Sequence, residues 1–136
     1  MKTRVICAGT FDHLHDGHLS FLRQAKSLGD ELIVIVARDA TVQRIKGFRP
    51  SNDEEQRRKD VAGTGVPDAV VLGNLESDIL QILEELKPDI VAVGYDQRVS
   101  EEEVSRRFPS CRVVRLAPFH PEKYKSSFFR SKEKRL

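Results

Sequence analysis

Residues 4–28 read RVICAGTFDHLHDGHLSFLRQAKSL, and this stretch decides the fold. Arg4 to Ala8 is an apolar run of strand length. Gly17 to Leu28 sets Phe21, Leu22, Ala25 and Leu28 on one face, which predicts an amphipathic helix. Between the two lies a polar loop that begins at Gly9. Gly29-Asp30 ends the helix, and Glu31 to Ala37 (ELIVIVA) is almost unbroken in apolar residues, as a strand covered on both faces requires.

Working outward, the alternation of strand and helix continues. Arg38 to Pro50 reads as a polar loop. Ser51-Asn52-Asp53-Glu54 has the pattern of a capping box, with Ser51 as N-cap and Glu54 at the third helical position. The helix that follows runs to about Ala62 and is mostly polar, so only one edge of it packs deeply. Asp68 to Leu72 is a third strand. Asp78 to Leu86 is a helix with Ile79, Leu80, Ile82, Leu83 and Leu86 inward, stopped by Pro88. Ile90 to Val93 is a fourth strand, Ser100 to Arg107 a short helix, and Cys111 to Leu116 a fifth strand. A last helix is expected from about Ser126. No linker divides the chain, so residues 1–136 are expected to form one domain. Strands separated by helices imply right-handed crossovers and an α/β domain built on a doubly wound, five-stranded parallel sheet of Rossmann-like type.

Composition narrows the function. The chain is 39% apolar and 32% charged, with a formal charge of +2, too small to argue for nucleic acid. No apolar run approaches the roughly 20 residues that span a bilayer. Met1-Lys2-Thr3-Arg4-Val5 leads straight into a strand without a secretory core, so the cytoplasm is the expected compartment and no membrane partner is expected. Cys7 and Cys111 each fall in a strand and match no metal spacing, which predicts buried free thiols and no protein-held metal. The tail carries Lys123, Lys125, Arg130, Lys132, Lys134 and Arg135 against Glu133; it reads equally as a solvated helix and as a phosphate-facing surface.

Doubly wound sheets bind ligands beyond the carboxyl ends of their strands. Strand one is followed by Gly9-Thr10-Phe11-Asp12, strand two by Arg38-Asp39, and strand four by Gly94-Tyr95-Asp96. A turn alone needs Gly or Asp, but not Arg38 or the Tyr95-Asp96 pair. The strongest signal is His15-Asp16-Gly17-His18 at the start of the first helix. Backbone N–H groups at a helix N-terminus attract phosphate, and Gly17 lets an anion come close. His18 lies in the first turn, where the positive helix end favours a neutral ring that still donates one hydrogen bond. Two imidazoles there suit phosphoryl-type transfer, which needs positioning and stabilised charge on the equatorial oxygens.

Residues 9–18 resemble the signature of the HxGH nucleotidyltransferase superfamily, in its cytidylyltransferase-like branch. Val36-Ala37-Arg38-Asp39, Arg44-Ile45-Lys46-Gly47, Glu55-Gln56-Arg57-Arg58 and Gly94-Tyr95-Asp96-Gln97 look like the archaeal FAD synthases, which are FMN adenylyltransferases. The resemblance runs from about residue 4 to residue 127. It implies ATP and FMN as substrates, a divalent cation such as Mg2+ accompanying ATP, and a homodimer. It implies that Thr10 and Phe11 line the nucleotide site, within a binding stretch that includes Asp16 and Gly17. His15 and His18 would stabilise the α-phosphate, Asp96 would contact the ribose, and Lys46 and Arg57 would hold phosphates. Tyr124, Ser126 and Ser127 stand where relatives carry a second, Ser- or Thr-rich signature that caps the outer phosphates.

Plainer readings stand beside these. Lys46 reads also as a solvated loop charge, Arg57 as a partner of Asp53 one turn away, Asp96 as a turn cap, and Ser126-Ser127 as a helix cap. His13 departs from the aliphatic residue of relatives and reads as a surface residue or one behind the chemistry, not as a catalytic one. Ala62-Gly63-Thr64-Gly65-Val66-Pro67 replaces a more helical segment and is expected to loosen the end of the second helix. Lys125 to Arg130 fits the cytidylyltransferase version of the last motif poorly and favours adenylyl transfer. Phe48, Phe119, Tyr124, Phe128 and Phe129 are the aromatic candidates for contact with an isoalloxazine ring. Two rival functions remain: transfer of CMP from CTP to glycerol 3-phosphate, and a non-catalytic nucleotide-binding sensor.

Overall fold

The computed structural model describes residues 2–74, 79–94 and 101–117. The elements are β1 (Arg4–Gly9), α1 (Asp16–Lys26), β2 (Glu31–Val36), α2 (Asp39–Lys46), α3 (Glu54–Gly63), β3 (Ala69–Leu72), α4 (Ile79–Leu86), β4 (Ile90–Val93), α5 (Glu101–Arg107) and β5 (Arg112–Arg115). All five strands are parallel, in the order β3-β2-β1-β4-β5. The chain order reverses between β1 and β4, so the ligand crevice of this fold opens at their carboxyl ends, beside Gly9 and Gly94.

The apolar runs are explained by the two-residue period of a strand. Val5, Cys7, Leu32, Val34, Val36, Ile90 and Ala92 face one core with Leu22 and Ala25 of α1 and Val61 of α3. Ile6, Ile33, Ile35, Val91 and Val93 face the other, with Ile82 and Leu83 of α4 and Val104 of α5. Each fully buried Leu, Ile or Val contributes on the order of 1.5–3 kcal/mol, so both faces must be apolar for the sheet to persist. Cys7 and Cys111 are free, buried and in opposite cores. Burial pushes the Cys7 thiol up to about 12, which leaves it inert.

Two expectations are corrected. The segment 38–50 is not a loop throughout, because Asp39–Lys46 forms α2. Its eight residues bury only Val42, and Gly47 closes it with φ 84°, a left-handed conformation that glycine adopts freely. A single apolar contact leaves little periodicity to read. Ser51 is not the N-cap of α3. Asp53 is, its carboxylate accepting from Gln56 N at 2.8 Å. Glu54 caps the neighbouring helix instead: it accepts from Asp39 N at 2.9 Å and pairs with Arg38 at 3.2 Å. The end of α3 is capped by hydrogen bonds. The backbone N–H and hydroxyl of Thr64 both donate to Val61 O, and Gly65 N donates to Ala62 O.

Candidate active site

The loop from β1 to α1 is held in an unusual shape. Phe11 and His13 have φ of 57° and 53°, the left-handed region that side chains seldom adopt. The turn tucks the Phe11 ring into the core, 4% exposed, edge-on to His18 with ring centroids 5.4 Å apart. Gly9 makes room for it: a Cβ there would stand 2.9 Å from Phe11 Cε2. Asp12 turns away from the helix and accepts from Ser51 N at 2.7 Å and Asn52 N at 3.1 Å, clamping the α2–α3 connection beside the loop. Burial would raise the Asp12 carboxyl, but those two bonds, together with the nearby charges of His13 and Arg57, hold the group below its ordinary value.

His15 is the N-cap of α1. Its Nδ1 accepts from Gly17 N at 3.0 Å, and His18 Nδ1 accepts from His15 N at 3.2 Å. This is a capping box made of two imidazoles in place of Ser and Glu. The rings stack with centroids 3.9 Å apart at 22°. A nitrogen that accepts an N–H carries no proton, so each neutral ring bears its hydrogen on Nε2. Burial pushes both pKa values down; His18 falls to about 4, helped by the neighbouring charges of His15 and Lys46. Both rings are therefore neutral at pH 7, each with an Nε2–H left to donate. The Gly17 N–H, expected to face phosphate, is taken by His15. The cap thus replaces backbone donors with imidazole donors at the positive end of the helix.

Lys46 is exposed in the last turn of α2, close enough for its charge to act on His18. Arg57, expected at the phosphates, has 0% exposure. Its Nε donates to Asn52 O at 2.9 Å, its Nη1 to Thr10 O and Ala37 O at 2.9 and 2.8 Å, and its Nη2 to Asp39 Oδ1 at 2.6 Å. With these bonds made, the guanidinium faces protein and not an open cleft. Nor does it pair with Asp53, as the plainer reading had it. Arg57 joins the turns after β1 and β2 to the start of α3. Arg38 is likewise committed, Nε to Gly73 O at 2.6 Å and Nη1 to Glu54, so the cluster after β2 is architectural. After β4, Arg115 Nη1 donates to Gly94 O at 2.6 Å, at the switch point. Sequence reading missed Glu54 as the cap of α2, Asp39 as partner of Arg57, and the Asp12 clamp. All three pair residues at least 15 positions apart in the chain, a separation no local pattern encodes.

The structure therefore brings Thr10, Phe11, His15, Asp16, Gly17, His18 and Lys46 to one end of the sheet, with Arg57 beneath them. Asp96, Tyr124, Ser126 and Ser127 lie outside the described residues, as do Tyr95, Phe119, Phe128 and Phe129. Among the described residues, no group of three or more His, Cys, Asp or Glu side chains could hold a metal ion. No helix among them is long and apolar enough to cross a membrane.

Known proteins resemble this chain over most of its length. The profile of the family described as cytidylyltransferase-like matches residues 6–133. The FAD synthase of Methanosarcina barkeri is 47% identical over 118 residues, covering 84% of this chain and 83% of that one. The FAD synthase of Thermococcus sibiricus is 42% identical over 129 residues, covering 92% of this chain and 84% of its own. Among solved structures, the lipopolysaccharide core biosynthesis protein from Thermoplasma volcanium superposes with a TM-score of 0.81 at 38% identity, over 88% of this chain and 99% of that one.

Proposed function

This chain belongs to the cytidylyltransferase-like family, and from that premise we propose that it transfers AMP from ATP to FMN, giving FAD and pyrophosphate. ATP, carrying a divalent cation on its phosphates, lies across the strand ends with its triphosphate at the start of α1. An oxygen of the FMN phosphate attacks the α-phosphorus in line. A new P–O bond forms as the bond to the β-phosphate oxygen breaks, and pyrophosphate departs with that electron pair. The acceptor phosphate is already ionised near pH 7, so no side chain has to act as a strong base, and none serves as a covalent nucleophile.

The observation that carries this reading is the reciprocal histidine cap. It fixes both tautomers and leaves two Nε2–H donors for the oxygens on which charge builds in the transition state. Because the donors are set before substrate arrives, no reorganisation is needed at the moment of reaction. Thr10 and Phe11 line the nucleotide through the backbone, and Asp16 and Gly17 shape its phosphate end. Lys46 gives an exposed cation to the phosphates. Asp96 contacts the ribose, and Tyr124, Ser126 and Ser127 cap the outer phosphates. Arg57 serves by holding the carbonyls of Thr10 and Ala37 rather than by touching substrate. The protein acts in the cytoplasm as a homodimer, a state that analytical ultracentrifugation tests. Mixing it with ATP and FMN, and separately with CTP and glycerol 3-phosphate, tests the reaction; FAD and pyrophosphate are expected in the first tube alone.

A further inference from the structure

Among the described residues, two large hydrophobic side chains stand far out in solvent: Ile45 at 71% exposure and Phe48 at 60%. Exposed apolar residues scattered singly need no explanation. These two are three positions apart at the end of α2, in a strip from Arg44 to Arg49 that is exposed throughout. Gly47 turns the chain between them, and a Cβ at Gly47 would meet nothing within 4 Å, so the space at the turn is open. The strip is connected to the candidate active site at two places. Ser51 and Asn52, just beyond it, are held by Asp12. Lys46, inside it, acts electrostatically on His18.

The charges carried by the strip itself are of one sign. Residues 44–52 (RIKGFRPSN) hold Arg44, Lys46 and Arg49 and no acidic residue. Arg49 reaches Asp39 at 3.7 Å but remains 68% exposed. An apolar surface with an aromatic ring, bordered by cations and next to phosphate chemistry, suits a flat ring system that carries a phosphate. Such a ring would stack on Phe48 and pack against Ile45, and its anion would meet the cations. A cytidylyl acceptor of the polyol phosphate kind has no flat surface to match.

We infer that Ile45 and Phe48 form the docking edge for the heteroaromatic ring of the acceptor, with Arg44, Lys46 and Arg49 drawing in its phosphate. This rests on FMN being the acceptor, and it names residues that select FMN over an aliphatic phosphate.

The test uses the full chain with Ile45→Ala and Phe48→Ala combined, and with Phe48→Trp alone. Both positions are exposed, so folding is retained. Riboflavin, which has the ring without the phosphate, is titrated by quenching of flavin fluorescence, and KM is measured for FMN and for ATP. The double variant is expected to weaken riboflavin binding and raise the FMN KM by about tenfold or more, with the ATP KM changed by less than about twofold. Phe48→Trp is expected to retain flavin affinity. Unchanged riboflavin and FMN affinity in the double variant overturns the inference, as does a loss of dimer with flavin affinity intact, which would assign the pair to a second copy. If the wild type binds riboflavin through Phe48 yet makes no FAD, the docking edge stands and the adenylyl-transfer reading fails.

Discussion

The Nδ1 atoms of His15 and His18 both accept backbone N–H groups at the mouth of α1, His15 from Gly17 at 3.0 Å and His18 from His15 at 3.2 Å. One pair of bonds thereby does two things: it caps the helix and it aims two Nε2–H donors outward. The two roles separate by mutation. His15→Ala removes cap and donor together, with an expected loss in turnover of about 10²–10³-fold and in stability of about 0.5–2 kcal/mol. Asparagine is a strong N-cap without an Nε2 donor. His15→Asn is therefore expected to recover the stability in urea denaturation while turnover stays low. Recovery of both would show that His15 acts only as a cap.

The depressed pKa of His18 fixes the sign of a pH effect. The unfolded ring titrates near 6.5 and the folded ring near 4. Between those values the unfolded chain binds more protons, so stability rises with pH through this window, is complete above it, and is lost as pH falls through the folded value. Following the imidazole resonances of His18 by NMR is expected to show no protonation between pH 8 and pH 6. Lys46→Met removes one of the charges that lower this pKa and is expected to move the midpoint upward. A midpoint at the ordinary value in the wild type would contradict the capped geometry.

Arg57 and Asp39 form an ion pair in which the arginine is wholly buried, at 2.6 Å. Removing one partner of such a pair costs about 3–5 kcal/mol, because the other charge and the released carbonyls stay behind. Arg57→Ala is expected to show this loss in a urea titration with or without nucleotide. An arginine that only held phosphate would instead leave the free protein's stability nearly untouched and raise the KM for ATP.

Gly9→Ala drives a methyl group to within 2.9 Å of the Phe11 ring, which is buried in the core. Overpacking of this kind costs about 1–3 kcal/mol. The edge-on contact between Phe11 and His18 carries the displacement to the catalytic ring. Gly9→Ala is expected to lower both the melting temperature and kcat, and adding Phe11→Leu is expected to restore the melting temperature in part.

The fold was legible because its signals are local. The apolar runs at Val5–Cys7, Leu32–Val36 and Ile90–Val93 state that both sheet faces are covered, and Phe21 to Leu28 state a helix face. The end of the sheet that carries chemistry was legible from Gly9, Asp16, Gly17 and the two histidines. The second half of the site was not. α2 buries a single residue and so shows no period. Arg57 reads as a surface cation in a polar helix, and its burial follows from carbonyls at Thr10 and Ala37 that lie 47 and 20 residues away. Glu54 has an identical local signature whether it caps its own helix or its neighbour; the tertiary approach of α2 to α3 decides.

The most direct measurement is the rate of FAD and pyrophosphate formation from ATP and FMN by the wild type, His15→Ala and His18→Ala proteins at saturating substrate. Equal amounts of FAD and pyrophosphate are expected from the wild type, with kcat reduced about 10²–10³-fold in each variant. Product from CTP and glycerol 3-phosphate but none from ATP and FMN, or full turnover after loss of either imidazole, would contradict adenylyl transfer by the paired histidines.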